Sequence, residues 1–123
     1  MALNILVVDD STAIRKILIR VLRQTRLAIE EILEARDGLE ALEIVRNHPL
    51  NLILSDINMP NLDGLGLLAE LKRADQWRHL PVVMITTEGS EEKVSQAIRL
   101  GSAAYIRKPF TAEQIQEKIG ALL

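Results

Sequence analysis

Ile5-Leu6-Val7-Val8-Asp9-Asp10 is the stretch that decides the fold. A strand with one wet face alternates apolar and polar residues; an unbroken apolar run belongs to a strand buried on both faces. Strands of that kind sit in parallel sheets covered by helices on either side. The predicted strand covers residues 4–8, and the two aspartates place charge just beyond its carboxyl end.

Outward from this run, short apolar stretches alternate with helical ones. Ile14, Ile17, Leu18, Val21 and Leu22 recur at i, i+3, i+4, i+7 and i+8, one face of a helix. Ile29–Ala35 reads as a weaker strand that carries three glutamates, as suits a sheet edge. Gly38–Asn47 reads as a helix with Leu42 and Val45 inward, stopped by Pro49. Residues 50–55 form a second buried strand, Asn61-Leu62-Asp63-Gly64 a turn, and a leucine-rich helix follows to about Arg73.

Val82–Thr86 is a third buried strand. Ser90 is expected to cap a helix through Leu100, which Gly101 ends in the left-handed conformation. Ala104–Arg107 is a short last strand. Thr111 and Gln114 form a capping box for a final helix striped by Ile115, Ile119 and Leu122. Five strands alternating with five helices predict an α/β fold of right-handed βαβ units, a five-stranded parallel sheet covered on both faces. No repeat, low-complexity tract or linker interrupts the chain, and 123 residues suit one domain, 1–123.

Composition narrows the function. With no cysteine, disulfide scaffolds, thiolate zinc sites and thiol catalysis are excluded. A net charge of −2 argues against a broad nucleic-acid footprint and against a polybasic membrane surface. The N-terminal apolar run is too short for a signal peptide or a membrane span, so a cytoplasmic setting is expected. Aromatic residues make up 2% of the chain, which argues against base-stacking and carbohydrate platforms.

Ligands of open α/β sheets bind outside the carboxyl ends of the strands. Asp9 and Asp10 follow the first strand, Asp56 the third, Thr86 and Thr87 end the fourth, and Lys108-Pro109 follow the fifth. Three carboxylates, a hydroxyl and an ammonium therefore converge from four chain-distant places. Crowded carboxylates repel, and a hard cation such as Mg²⁺, which takes oxygen ligands, relieves the repulsion. A carboxylate can also act as a nucleophile and form an aspartyl phosphate. Phosphoryl transfer needs its equatorial oxygens neutralised. Mg²⁺ would meet one, Lys108 a second, and Thr86 Oγ with backbone N–H groups the rest. Each residue alone has a plainer reading. Asp9-Asp10 could cap the first helix, Asp56 could form a turn, Lys108 could be an ordinary surface lysine, and Tyr105 a half-buried strand residue.

At these residues the sequence resembles the response-regulator receiver family, closest to its single-domain chemotaxis members. The motifs are Ile5-Leu6-Val7-Val8-Asp9-Asp10, Ser55-Asp56-Ile57-Asn58-Met59-Pro60 with Asp63-Gly64, Met84-Ile85-Thr86-Thr87-Glu88 and Tyr105-Ile106-Arg107-Lys108-Pro109-Phe110. The resemblance spans essentially the whole chain, and four motifs in order are far more specific than any one.

It implies a flavodoxin-like, doubly wound (βα)5 sheet of order 2-1-3-4-5, an order carried over from the family. It further implies Asp56 as phosphoacceptor from a sensor histidine kinase. Mg²⁺ would be held by Asp10 directly, Asp9 through water, Asp56 and the backbone carbonyl of Asn58. Lys108 would pair with the phosphoryl group, across a cis bond to Pro109. Thr86 and Tyr105 would switch together, and the face of the fourth helix, fifth strand and fifth helix would bind a target such as a flagellar motor switch protein. Asn58 and Glu88 occupy the positions that tune acyl-phosphate lifetime in this family. Both are polar and able to accommodate an attacking water, so self-dephosphorylation in seconds to minutes is expected. A monomer is expected, acting through non-covalent partners.

Some positions depart from the nearest chemotaxis members. Ser11 and Ile57 stand where those often carry aromatic residues, and Thr87 is bulkier than the small residue common after the switch threonine. A rival class, aspartyl phosphatases of the haloacid-dehalogenase type, puts its nucleophile after the first strand in an Asp-x-Asp pattern and carries a cap. Here the first-strand pair is adjacent and 123 residues leave no room for a cap. Flavodoxins need a Ser/Thr/Gly-rich phosphate loop where Asp9-Asp10 would repel the phosphate. His48 and His79 fall in predicted loops and read as solvated, and Trp77 reads as a cover over the loop before the fourth strand.

Overall fold

The computed structural model describes residues 2–87 and 91–123. Glu88 and Ser90, the latter expected to cap the fourth helix, lie outside the described residues. In chain order the elements are β1 (Leu3–Val8), α1 (Thr12–Gln24), β2 (Ile29–Ala35), α2 (Gly38–Asn47) and β3 (Leu52–Asp56), then α3 (Gly64–Arg73), β4 (Val82–Thr86), α4 (Glu91–Leu100), β5 (Ala104–Arg107) and α5 (Ala112–Leu122). The strands pair in parallel in the order β2-β1-β3-β4-β5, the flavodoxin-like order that the resemblance implied.

The three apolar runs occupy the three central strands, as a doubly covered sheet requires. Successive residues of a strand face opposite sides, so each run feeds two cores at once. Ile5 and Val7 pack with Leu18 and Leu22 of α1 and Ile115 and Ile119 of α5. Leu6 and Val8 pack on the other side, with Leu42 and Val45 of α2, Leu68 and Leu71 of α3, and Val94 and Ala97 of α4. β2, the strand with the glutamates, is an edge, with Glu30 and Glu31 exposed.

Three strand boundaries differ from the sequence reading, the first at β1, which begins at Leu3 and not at residue 4. β3 begins at Leu52, not residue 50, because its pairing with β1 starts at Leu52 opposite Ile5. Just before it, the Asn51 side chain accepts from the Asn4 N–H at 2.7 Å and closes the ladder. The strand also runs one residue further, to Asp56, which stands level with Ile85 of β4. Asp56 is thereby part of the sheet.

Local signals at the helix ends hold where they are described. Ser11 caps α1 by accepting from Ile14 N–H, and Asp37 and Asp63 cap α2 and α3 in the same way. Thr111 and Gln114 make the reciprocal capping box of α5. Gly101 has φ 103°, the left-handed conformation expected of it. The bond between Lys108 and Pro109 is cis. Among the described residues no helix is long and apolar enough to cross a membrane.

Candidate functional site

Because the strands are parallel, their carboxyl ends share one rim. Asp9 and Asp10 leave β1 there, Asp56 ends β3, and Lys108 follows β5. Asp9, Asp10 and Asp56 each bring a carboxylate oxygen to within 4.8 Å of one another. Lys108 Nζ lies 3.2 Å from Asp9 Oδ2 and 3.7 Å from Asp56 Oδ2. Its backbone N–H is tied to the Thr86 carbonyl at 2.6 Å, which fixes the root of the side chain on β4.

Asp9 is held at every polar atom. Its N–H donates to the Ala35 carbonyl at 3.1 Å. Its own carbonyl accepts from Arg15 Nη1 at 2.6 Å. Its carboxylate accepts from the Ser11 N–H at 2.9 Å and from Lys108. Ser11, not the acidic pair, caps α1, so the reading of Asp9-Asp10 as helix caps falls away. Asp9 is buried and Asp10 exposed. An oxygen-only donor set with one fixed and one solvent-facing member suits a hard cation that keeps several waters, as Mg²⁺ does.

Asp56 is half-buried, and its Oδ1 accepts from the Ile57 N–H at 2.8 Å. Burial pushes its carboxyl above the usual carboxylate range; Lys108 opposes that rise, and the Asp9 charge adds to it. An acid whose pKa is raised by folding destabilises the native state once ionised. Its contribution is intact below the unfolded value of 3.8 and is lost as pH rises through the raised value. Metal-free Asp56→Asn is therefore expected to match the wild type in urea denaturation at acidic pH and to exceed it at neutral pH. Equal midpoints at neutral pH would contradict this assignment.

The other residues singled out from sequence lie around the rim in different relations to it. Thr86 is buried one residue beyond Ile85, with its hydroxyl donating to the Thr87 carbonyl at 3.3 Å. Tyr105, on the other edge strand, is half-buried against the α2–α3–α4 core, with Lys118 Nζ 5.8 Å from its ring centroid. The Asn58 carboxamide accepts from Lys93 of α4. Glu88 is outside the described residues. His48 and His79 are exposed, and Trp77 is partly buried against the α2–α3–α4 core, as is Leu80.

The contacts of three residues escaped the sequence reading. Arg15 is buried, although charged. Its signal was its position on α1, three residues before Leu18 and seven before Leu22, squarely on the inward stripe. Gly64 presses on the end of β3: a Cβ there would lie 2.3 Å from the Asp56 carbonyl oxygen. Nothing in the local sequence announces that approach. Lys93 meets Asn58 only through the packing of α4 across the sheet.

Comparison with known proteins bears on the family and the fold. The sequence model of the response regulator receiver domain matches residues 5–120. The chain is 38% identical to Chemotaxis protein CheY1 of Helicobacter pylori over 122 residues, 98% of this chain and 97% of that protein. It is 38% identical to Chemotaxis protein CheY-3 of Vibrio cholerae over 117 residues, covering 95% of this chain and 88% of that one. The solved structure of the chemotaxis response regulator CheY4 of Vibrio cholerae superposes with a TM-score of 0.87 at 31% identity, over 100% of both chains. With the family model matching residues 5–120 and the relatives aligned over nearly the whole chain, this chain belongs to the response regulator receiver domain family.

Proposed function

We propose that this receiver takes a phosphoryl group onto Asp56 from the phosphohistidine of a sensor kinase. The observation that carries the reading is Lys108, whose ammonium lies between Asp9 and Asp56 and within reach of both. Asp56 supplies the nucleophilic oxygen, its bond to phosphorus forms as the phosphorus–nitrogen bond of the donor breaks, and the imidazole leaves. Lys108 is placed to pair with a phosphoryl oxygen as negative charge gathers. Asp9, Asp10, Asp56 and the Asn58 carbonyl would hold Mg²⁺, which supplies charge neutralisation when bound. Thr86 would donate its hydroxyl to the phosphoryl group, and Tyr105 would follow it inward.

A groove of about 330 Å³ lined by Ile14, Ile17, Pro109 and Phe110 opens beside Lys108. Its apolar walls next to the acceptor offer the donor kinase a seat. Output would pass through the face of α4, β5 and α5 to a target protein. The names of its relatives favour chemotaxis; as our own reading, the target would be a flagellar motor switch protein and the setting the cytoplasm. We read the chain, residues 1–123, as one receiver domain that works as a monomer.

Incubation with acetyl phosphate and Mg²⁺ tests this reading. The intact protein is expected to gain the mass of one phosphoryl group, labile to alkali, and to gain nothing when the metal is chelated. An unchanged mass with Mg²⁺ present refutes it. The phosphorylated form is expected to decay within seconds to minutes, because polar residues, Asn58 and Glu88, stand in sequence at the two positions that tune this lifetime in the family; a lifetime of many hours would exclude that role for them.

A further inference from the structure

A guanidinium removed from water is costly unless each of its nitrogens finds an acceptor. Arg15 is 7% exposed, and it finds three. Nη1 donates to the Asp9 carbonyl at 2.6 Å, Nη2 to Thr12 Oγ1 at 3.1 Å, and Nε to Glu34 Oε1 at 2.9 Å. Glu34, on β2, also accepts from Lys16 at 3.1 Å. Burial alone would push the Glu34 carboxyl up, but the bonds from Arg15 and Lys16 outweigh it and hold the carboxyl below its usual value. The guanidinium is thus gripped on one side by an ionised carboxylate and on the other grips the backbone of Asp9.

The direction of these bonds matters. Beyond Val8 the chain leaves the sheet, and the Asp9 carbonyl is no longer a rung of either neighbouring ladder. Arg15 replaces the missing rung. With the Asp9 N–H on Ala35, this fixes the peptide planes on both sides of the Asp9 Cα, and with them the direction of its carboxylate toward Lys108. Buried charge at that point has no use for core stability that a leucine would not serve better.

We infer that Arg15, ordered by Glu34, is a positioning residue that aims the Asp9 carboxylate at the cation site. The inference rests on the proposed Mg²⁺-dependent phosphorylation of Asp56. Outer-shell partners that orient metal-binding groups change metal affinity by about 10–100-fold when removed.

The test is a Mg²⁺ titration followed by the amide signals of residues 9–11, run beside urea denaturation on wild type, Arg15→Met, Arg15→Lys and Glu34→Ala. Arg15→Met is expected to weaken Mg²⁺ about tenfold. Arg15→Lys keeps the charge but cannot span Asp9 and Glu34, and is expected to weaken it nearly as much. Glu34→Ala, a change at a partly exposed position, is expected to weaken it severalfold and keeps the test decisive should Arg15→Met fail to fold. The Mg²⁺ concentration that half-saturates phosphoryl uptake should rise in parallel. Folded variants that bind Mg²⁺ as tightly as wild type, whatever their urea midpoints, would reduce Arg15 to a packing role and overturn the inference. A wild-type protein that itself binds no Mg²⁺ would instead overturn the reading of the site.

Discussion

Asp56→Asn is expected to take up no phosphoryl group from acetyl phosphate, a loss of about a thousandfold or more in rate, the scale on which removing a covalent nucleophile is felt. The substitution preserves shape: the carboxamide oxygen can still accept from the Ile57 N–H that now binds Oδ1. What it removes is the carboxylate oxygen beside Lys108 that the proposed transfer uses as its nucleophile. The same change should stabilise the metal-free protein at neutral pH, because burial and the Asp9 charge both oppose ionisation of Asp56. An inert variant that is harder to unfold would show that the wild type carries strain at its acceptor for the sake of chemistry. Intact mass after incubation with Mg²⁺ measures the first effect. A variant that still gains a phosphoryl group would place the acceptor elsewhere.

The second large effect is expected at Gly64. An added methyl would sit 2.3 Å from the Asp56 carbonyl oxygen and 2.9 Å from the Ile57 Cα, both backbone atoms that no side-chain rotation can move aside. The Gly64 N–H is also bonded to the Ile57 carbonyl at 2.8 Å, so the start of α3 and the end of β3 are locked together. Gly64→Ala is expected to cost about 3 kcal/mol, the upper range for overpacking, and to slow phosphoryl uptake by displacing the acceptor. Gly120 is the control. A Cβ there meets nothing within 4 Å, and alanine inside α5 should gain roughly 0.5–1 kcal/mol. Urea denaturation of the two variants gives the comparison. A Gly64→Ala protein within about 0.5 kcal/mol of wild type would show that α3 can retreat from the acceptor strand.

These two sites differ in how far the sequence revealed them. Asp56 was legible because it follows an apolar run, and parallel topology sends every such terminus to the same rim. Asp9, Asp10 and Lys108 were found by the same rule. The elements were legible for a related reason: period, caps and turn glycines act locally, and residues such as Thr111, Gln114 and Gly101 perform in the fold as their chemistry suggests.

Contacts between distant segments were not legible. Gly64 looks like any turn glycine until α3 is laid against β3. Arg15 bonds Glu34 across nineteen positions, and Lys93 bonds Asn58 across thirty-five. Residue 50 was placed in β3 on hydrophobicity, but the ladder's first rung is set by where β1 lies alongside. Strand order itself came through family resemblance, since spacing alone does not tell which strand neighbours which.

The two margins of the sheet bear on how the protein behaves when crowded. A second copy that tried to lengthen the ladder at β2 would bring like charge against Glu30 and Glu31, and at β5 it would find only four residues to grip. Concentrated solutions should therefore stay dispersed near neutral pH. That protection depends on charge felt through weak screening, so high salt leaves only the brevity of β5 standing against ladder-wise association.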